Sequence, residues 1–304
     1  MSKRYLRTIN REEALAIFLE RFSPLDSIET VPVQDTLGRV TAKPVLSLRS
    51  LPAYPCAAMD GIAVLSANTY SAADKTPLVL EEAHHFLPID TGDVLPEGYD
   101  AVIPWEEVQV ETEGKCLIRQ PAYPYQHVRP VGEDVVGSEQ ILPIFHRITA
   151  PDLGALVAGG ISAVEVLAKP KVAILPSGDE LVPPGIPPQK GQIPEFNSLV
   201  LSAYISQWGG KPLVLPIVKD EAKVLQQTIE ETLPQVDILL VNAGSSAGRD
   251  DLTSTVFERL GEVLVHGVAT RPGKPTILAY LQGKPCMGFP GYPVSAYLSV
   301  EWFL

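Results

Sequence analysis

The order of hydrophobic and polar residues along the chain predicts where several helices and strands begin and end. Apolar residues recur at helical spacing after Asn10, which can cap a helix, and Glu13 stands at the capping-box position. Two segments that alternate in period two lie on either side of a turn at Gly38, and we expect them to pair as a hairpin. A further helix should begin after Thr149 and end at Gly159, because both are typical capping residues.

Changes in this pattern over longer stretches divide the chain into domains. Between residues 51 and 141, short apolar runs alternate with proline, glycine and acidic turns, which predicts a small all-β domain. From residue 171 onward strands alternate with helices, which predicts a parallel sheet covered on both faces. We therefore expect an α/β plus β chain with a first domain at 1–50 and 142–170, an inserted β domain at 51–141 and an α/β domain at 171–304. The chain stops at Leu304 inside an apolar helix, so we expect it to be part of a longer protein.

The composition disfavours several classes of partner and location. The net charge of -12 at pH 7 argues against nucleic acid and anionic membranes as partners, since both require basic surface. The cysteines lie far apart without a CxxC pair, which favours a reducing, cytoplasmic compartment over a disulfide framework or a zinc site. No apolar run reaches the roughly 18 residues of a transmembrane helix, and the charged N-terminus has no apolar region typical of a secretory signal.

Loops rich in glycine, proline and charge follow strands of the α/β part directly. They span residues 175–185, 242–251, 269–275 and 288–293. Because ligands bind outside the carboxyl ends of the strands in such sheets, we expect these loops to form one site. In the second loop, the hydroxyls of Ser245 and Ser246 and the backbone N–H groups of these serines and of Gly248 could bind an anion ahead of a helix. A glycine-rich turn with a helix cap explains the same residues about equally well.

Charged side chains of these loops predict a metal and an oxyanion at the same edge of the sheet. The carboxylates are those of Asp179, Glu180, Asp250 and Asp251. Each alone is better explained as a cap, but the set together favours a hard cation such as Mg²⁺. Arg271 and Lys274 flank a stiff Pro-Gly turn and suit a phosphate-like oxyanion, although a solvated turn is the commoner explanation of an isolated basic pair. In the β domain, Asp60, Thr91 and Asp134 stand in sequences that turn formation alone explains.

Taken together and in order, the motifs of this chain resemble the molybdopterin molybdenumtransferase family, the MoeA type that is related to the E domain of gephyrin. The motifs are AAMDGIAV (57–64), TGDVLPEGYDAVI (91–103), RPVGEDV (129–135), PSGDELVPPG (176–185), GQIPEFNS (191–198), NAGSSAGRDDLT (242–253), RPGKPT (271–276) and GFPGYPVSA (288–296). The resemblance runs from about residue 12 to the end of the chain. Because eight motifs occur in the same order as in the family, the resemblance is far more specific than any single motif would be.

The resemblance implies a fold, an oligomeric state and an activity. Members of the family are elongated homodimers with an extended first domain, an inserted β domain, a three-layer α/β molybdopterin-binding domain and a C-terminal β domain, and this sequence lacks the last of these. They are enzymes that insert molybdenum from molybdate into adenylylated molybdopterin and release AMP with the help of Mg²⁺. In the family, the site lies between the α/β domain of one subunit and the β domain of its partner.

Matching the motifs position by position implies roles for individual residues. Catalytic roles fall on Asp60, Asp134, Glu180 and Asp251, of which Glu180 and Asp251 would also hold Mg²⁺. Substrate-binding roles fall on Thr91, Arg271, Pro290 and Pro293. The chemistry of the loops adds Ser245, Ser246, Gly248 and Lys274 to the predicted substrate-binding residues. Two alternatives stay open: a molybdopterin adenylyltransferase, which is a single α/β domain, and a molybdopterin-binding sensor or scaffold without turnover. The second is kept because the family's GGVSVG and PGNP loops read AGSSAG and PGYP here.

Overall fold

The computed structural model describes residues 8–22, 26–243 and 252–304, and the chain divides into two compact units. One unit is Ile28–Leu167, and the other is Ala168–Leu304 together with the N-terminal segment that carries the first helix. The division read from the sequence differs here, because it grouped that segment with residues 142–170. The segment belongs to the α/β unit because its apolar side chains, Ala14 and Phe18 among them, are buried in the core of that unit.

The helices have ends that the sequence largely anticipates. They are α1 Arg11–Leu19, α2 Ala150–Ala158, α3 Asn197–Trp208, α4 Ala222–Thr232, α5 Leu252–Leu260 and α6 Pro293–Phe303. Asn10 caps α1 as predicted, since its side chain accepts a hydrogen bond from the Glu13 N–H at 2.7 Å. A capping box between Thr149 and Asp152 begins α2 and confirms the other predicted start. Gly209 ends α3 with a φ of 100°, in the left-handed region that glycine tolerates.

The unit Ile28–Leu167 consists mainly of short antiparallel strands. They are β1 Ile28–Pro32, β2 Val45–Leu46, β3 Cys56–Ala57, β4 Gly61–Val64, β5 Leu78–Glu81, β6 Phe86–Ile89, β7 Ala101–Pro104, β8 Val108–Thr112, β9 Lys115–Ile118, β10 Val128–Arg129, β11 Gln140–Leu142 and β12 Ala163–Leu167. Two three-stranded sheets, in the orders β6-β4-β7 and β5-β9-β8, share a core that includes Ile62, Leu80 and Ile118. Residues 51–141 therefore have the strand-rich structure that their sequence predicts.

The hairpin predicted around Gly38 is wrong. β1 pairs antiparallel with β12, from Ile28 opposite Leu167 to Pro32 opposite Ala163, and β2 pairs with β11. The segments on the two sides of Gly38 thus take partners from beyond the inserted strands. Alternation in period two indicates a half-buried strand, but it does not indicate which other strand completes the pairing.

The α/β unit is built on one six-stranded sheet with helices on both faces. The strands of the unit are β13 Lys171–Leu175, β14 Leu181–Val182, β15 Ile193–Pro194, β16 Lys211–Val214, β17 Ile238–Ala243, β18 Gly261–His266, β19 Ile277–Leu281 and β20 Lys284–Pro290. β14 and β15 pair with each other outside the large sheet. The sheet has the order β16-β13-β17-β20-β19-β18. The first four strands are parallel, as predicted, whereas β19 runs antiparallel to both neighbours. Loops rather than helices connect β18, β19 and β20, and a short connection permits only antiparallel neighbours.

Two buried layers hold the helices against this sheet. One layer packs α1, α3 and α6 on one face, with Phe18, Leu201 and Phe303 among its side chains. The other packs α4 and α5 on the opposite face, with Ile229 and Phe257. This arrangement confirms the predicted three-layer α/β architecture. Within the described parts of the chain, every helix is too short or too polar to span a bilayer.

Candidate functional site

A cavity of about 560 Å³ lies at the carboxyl ends of β13, β17 and β20. The residues that line it are Ser177, Glu180, Leu181, Ile193, Pro194, Glu195, Phe196, Asn197, Asp220, Asn242, Ala243, Pro275, Pro290, Gly291, Tyr292, Pro293 and Ser295. Each of the loops singled out in the sequence contributes at least one of these residues. The structure therefore brings the loops together at one edge of the sheet, where open α/β sheets bind ligands.

The floor of the cavity is polar and largely buried. Ser177, just after β13, donates its hydroxyl hydrogen to Asp220 Oδ1 at 2.7 Å. Asn242, near the end of β17, donates from Nδ2 to the carbonyl oxygen of Ser177 at 3.2 Å. Ser177 and Asn242 are buried, and the Oδ1 atom of Asn242 has no hydrogen-bond partner among the described residues. Three adjacent strand ends thus hold a hydrogen-bond network in which one buried acceptor, Asn242 Oδ1, has no partner among the described residues.

The start of α3 and the loop before α6 form another wall. Asn197 donates from Nδ2 to the carbonyl oxygen of Gly291 at 2.8 Å and so ties the two segments together. The buried Glu195 accepts a hydrogen bond from the Ser198 N–H at 2.9 Å, which satisfies one of the free N–H groups at the start of α3. Pro293 is the first residue of α6, a position where its missing N–H costs nothing.

The loop that carries the basic pair is anchored by buried hydroxyl contacts. Thr276 is fully buried and donates to the carbonyl oxygen of Gly273 at 2.7 Å, and its hydroxyl also lies 2.9 Å from that of Ser299 in α6. Arg271 and Lys274 are both exposed, and neither lines the cavity. Pro275, which follows them, does line it. The loop is therefore held firmly at the edge of the cavity while its two cations remain in solvent.

A second polar cluster lies in the other unit, around Asp60. The Asp60 carboxylate accepts hydrogen bonds from the Thr91 hydroxyl at 2.6 Å and from the Thr91 N–H at 2.7 Å. These two hydrogen bonds lower the pKa of the Asp60 carboxyl below its ordinary value. Asp60 is exposed and directly precedes β4. The pair formed by Asp60 and Thr91 is thus a fixed, ionised carboxylate at the surface.

Asp134 is paired with a cation in the same unit. Arg129 in β10 donates to Asp134 Oδ1 at 2.7 Å and also to Glu133. The carboxylates of Glu133 and Asp134 raise the pKa of the Arg129 guanidinium. β10 pairs with β3, which ends shortly before Asp60 in the chain. The ion pair with Arg129 therefore gives Asp134 a structural role in this unit.

The predicted site residues have different positions in the structure. Glu180, Pro290 and Pro293 line the cavity, and Arg271 and Lys274 stand in the loop next to it. Asp60, Thr91 and Asp134 form the polar pairs of the other unit. The remaining predictions, Ser245, Ser246, Gly248 and Asp251, lie outside the described residues, as does Asp250.

The charged residues that line the cavity within the described parts of the chain are all acidic. Glu180, Glu195 and Asp220 are its carboxylates, and the described residues that line it include no lysine, arginine or histidine. Across the described residues, no three Asp, Glu, His or Cys side chains converge as a ready-made metal cage. Mg²⁺ is usually bound through one or two carboxylates and the phosphates of a substrate, so this donor set fits Mg²⁺ better than a metal that needs a closed cage.

Several lining residues were not predicted from the sequence. Asp220 follows β16 at the same edge of the sheet as the predicted loops, but it stands in no motif. Asn242 was counted as the first residue of a glycine-rich loop, and nothing in that pattern marks its side chain as buried. Glu195 and Asn197 belong to the GQIPEFNS motif, in which no spacing marks either side chain as part of a cavity wall.

Two family models match consecutive parts of the chain. The family model described as the MoeA N-terminal region, domains I and II, matches residues 9–160. The model described as a probable molybdopterin binding domain matches residues 173–304. The two models together cover most of the chain, and the first also includes helix α1, which packs in the α/β unit.

Individual relatives match nearly the whole chain. The molybdopterin molybdenumtransferase of Haemophilus influenzae is 30% identical over 298 residues, which cover 95% of this chain and 74% of that protein. The enzyme of the same name from a Nostoc species is 30% identical and covers 96% of this chain and 71% of its own length. The crystal structure of a molybdopterin biosynthesis MoeA protein from Pyrococcus horikoshii aligns with a TM-score of 0.83 at 34% identity, and covers 98% of this chain and 78% of that one.

Proposed function

Because this chain belongs to the molybdopterin molybdenumtransferase family, and so acts in molybdenum cofactor biosynthesis, we propose that it inserts molybdenum from molybdate into adenylylated molybdopterin and releases AMP. The observation that carries the proposal is the cavity of about 560 Å³ at the carboxyl ends of β13, β17 and β20. It combines motif residues such as Glu180 and Pro290 with buried polar groups. Its size suits a small-molecule substrate.

The one-sided charge of the cavity supports a role for Mg²⁺. Carboxylates without a basic neighbour repel one another and are stabilised by a cation. Glu180 would hold Mg²⁺ together with phosphate oxygens of the substrate, and Asp251, outside the described residues, is proposed as a further ligand. When bound, the ion supplies positive charge that offsets the negative charge of the phosphoanhydride during its cleavage.

Anionic parts of the substrates need cations and N–H donors. Arg271 and Lys274 stand exposed in the loop beside the cavity, and we propose that they take molybdate or phosphate oxygens. Ser245, Ser246 and Gly248 are proposed to cradle the phosphate of the pterin. Pro290 and Pro293 set the backbone path of the wall that would contact the substrate.

Residues of the other unit are proposed to take part in the same reaction. Thr91 holds the Asp60 carboxylate in a fixed orientation and keeps it ionised, which suits a group that orients a phosphate or a metal. Asp134 is held in place by Arg129 and is proposed to act alongside Asp60. The family resemblance further leads us to propose a homodimer located in the cytoplasm.

Release of AMP from adenylylated molybdopterin tests the proposal. We expect release that requires both molybdate and Mg²⁺, since the metal is inserted as the adenylyl group leaves. Tight binding of the substrate without release of AMP would contradict turnover and indicate a sensor or scaffold. Consumption of ATP to adenylylate molybdopterin would instead identify an adenylyltransferase.

A further inference from the structure

Asn242 stands at the floor of the cavity and is 7% exposed. Its Nδ2 donates to the Ser177 carbonyl oxygen, which fixes the orientation of the amide, because the flipped amide would set two oxygens against each other. Its Oδ1 is buried and has no hydrogen-bond partner among the described residues. A buried acceptor left in this way is destabilising, so such groups normally find a partner in protein, water or ligand.

Gly291 leaves open the space beside this oxygen. A Cβ atom placed on Gly291 would lie 3.3 Å from Asn242 Oδ1, which is closer than most contacts of a Cβ atom. The backbone here is held in position, because the Gly291 carbonyl oxygen accepts the hydrogen bond from Asn197. Asn242 Oδ1 itself exposes less than 1 Å² of surface, so a hydrogen-bond donor would reach it through this space, where Gly291 has no side chain.

We infer that Asn242 Oδ1 accepts a hydrogen bond from the exocyclic amino group of the pterin ring and so selects rings that carry an amino group at that position. The inference rests on the proposed function, which supplies the ligand. Molybdopterin carries this amino group at one end of its fused rings and the dithiolene and phosphate at the other. The end that receives molybdenum has to stay accessible to molybdate, so the amino end is the one that reaches a buried floor.

A hydrogen-bond donor suits this oxygen better than a cation does. Asn242 Oδ1 is neutral, and the charged oxygens of Glu180 and Asp220 in the same cavity are stronger ligands for a cation. The surrounding wall includes Phe196 and Tyr292, whose rings provide apolar surface for a flat heterocycle. Asn242 is therefore a specificity-determining residue rather than a catalytic one.

Pterin and lumazine are the probes that test the inference, because they share the bicyclic ring and differ by an amino or an oxo group at C2. Their binding to the full chain is measured by equilibrium titration of probe fluorescence. Pterin should bind about tenfold more tightly than lumazine, whose oxo group would face Oδ1 with a second acceptor. Asn242→Ala should weaken binding of pterin about tenfold and abolish the preference.

A second variant distinguishes loss of access to the Asn242 acceptor from a general disturbance of the fold. Gly291→Ala should also reduce the preference, because the new methyl group takes the space beside Oδ1 while the hydrogen bond between Asn242 and Ser177 stays intact. Gly154→Ala is the matched control, since Gly154 has nothing within 4 Å of a new Cβ and lies in the other unit. It should bind both probes as the wild type does.

Equal binding of pterin and lumazine by the wild type, or a full preference in both Asn242→Ala and Gly291→Ala, would overturn the inference. Release of AMP measured on the same preparations separates this failure from failure of the proposed function. Wild-type protein that releases AMP with molybdate but does not discriminate between the probes refutes only the role of Asn242. Wild-type protein that neither binds pterin nor releases AMP refutes both.

Discussion

Replacing Gly61 by alanine should destabilise the unit Ile28–Leu167 because β4 has no room for a side chain at this position. A Cβ atom on Gly61 would lie 2.0 Å from the Ile103 carbonyl oxygen in the neighbouring strand β7. Close C···O contacts between strands normally measure about 3.3 Å or more, so the two strands would have to separate by more than an ångström. All residues of β4 are buried, and the displacement would therefore disturb a packed core.

The magnitude follows from the cost of overpacking. Inserting a methyl group into a packed core costs about 1–3 kcal/mol, and we expect the upper end because the clash is with backbone. For a unit of this size, that corresponds to a fall in Tm of roughly 6 to 12 °C. Gly61 also directly follows Asp60, so the hydrogen bonds between Asp60 and Thr91 should be perturbed and AMP release should fall.

Thermal and urea unfolding followed by circular dichroism measures the effect. Gly154→Ala is the matched control, since it makes the same substitution in the exposed middle of α2, in the same unit. Alanine is favoured over glycine inside a helix by roughly 0.5–1 kcal/mol, so this control should be slightly stabilised. Equal Tm values for Gly61→Ala and the wild type would refute the close approach of β4 and β7.

Three further predictions follow from local contacts. Asn10→Ala should lower the free energy of unfolding of the α/β unit by about 1 kcal/mol through loss of the α1 cap, and an unchanged urea midpoint would contradict this. Thr91→Val should raise the pKa of Asp60, measured by carboxyl NMR titration. Because the folded-state pKa of Asp60 is lowered, its contribution to stability is present above the unfolded-state pKa and is lost as the pH falls through the folded-state pKa, so the variant should have a smaller contribution and should lose all of it at a higher pH. Burial raises the pKa of the Cys116 thiol to about 11 and that of Cys286 to about 12, so neither should react with iodoacetamide at pH 8 until the protein unfolds, as mass spectrometry would show.

Local signals in the sequence were sufficient for the ends of several helices. The caps at Asn10 and Thr149 were predicted because each depends on side chains within three residues of the helix start. Gly209 likewise ends α3 through its own backbone conformation. Such features could be read from the sequence because the interacting groups are neighbours along the chain.

Pairing over long distances could not be read in the same way. The segments around Gly38 have the alternation of strands, but their partners β11 and β12 come only after strands β3 to β10 in the chain. The apolar residues of α1 would suit any core, and only the fold shows that Phe18 is buried against the α/β sheet. In both cases the sequence shows that a face is buried but not what covers it.

The candidate site was predicted in part for the same reason. Loops that follow parallel strands meet at one edge by topology alone, so the participation of Glu180 and Pro290 was predictable. The hydrogen bonds that join Ser177, Asp220 and Asn242 link residues from three strand ends, and no spacing in the sequence reveals them. The open acceptor on Asn242 is visible only once burial is known.

We propose that this chain releases AMP as it inserts molybdenum, with the help of Mg²⁺ held by the cavity. Release of AMP from adenylylated molybdopterin, measured against Mg²⁺ concentration at saturating molybdate, tests it most directly when Glu180→Gln is compared with Glu107→Gln, an exposed glutamate of the other unit. We predict that Glu180→Gln needs a higher Mg²⁺ concentration for half-maximal release, while Glu107→Gln and the wild type give the same curve. Release that is independent of molybdate or Mg²⁺, or identical curves for all three proteins, would contradict the account.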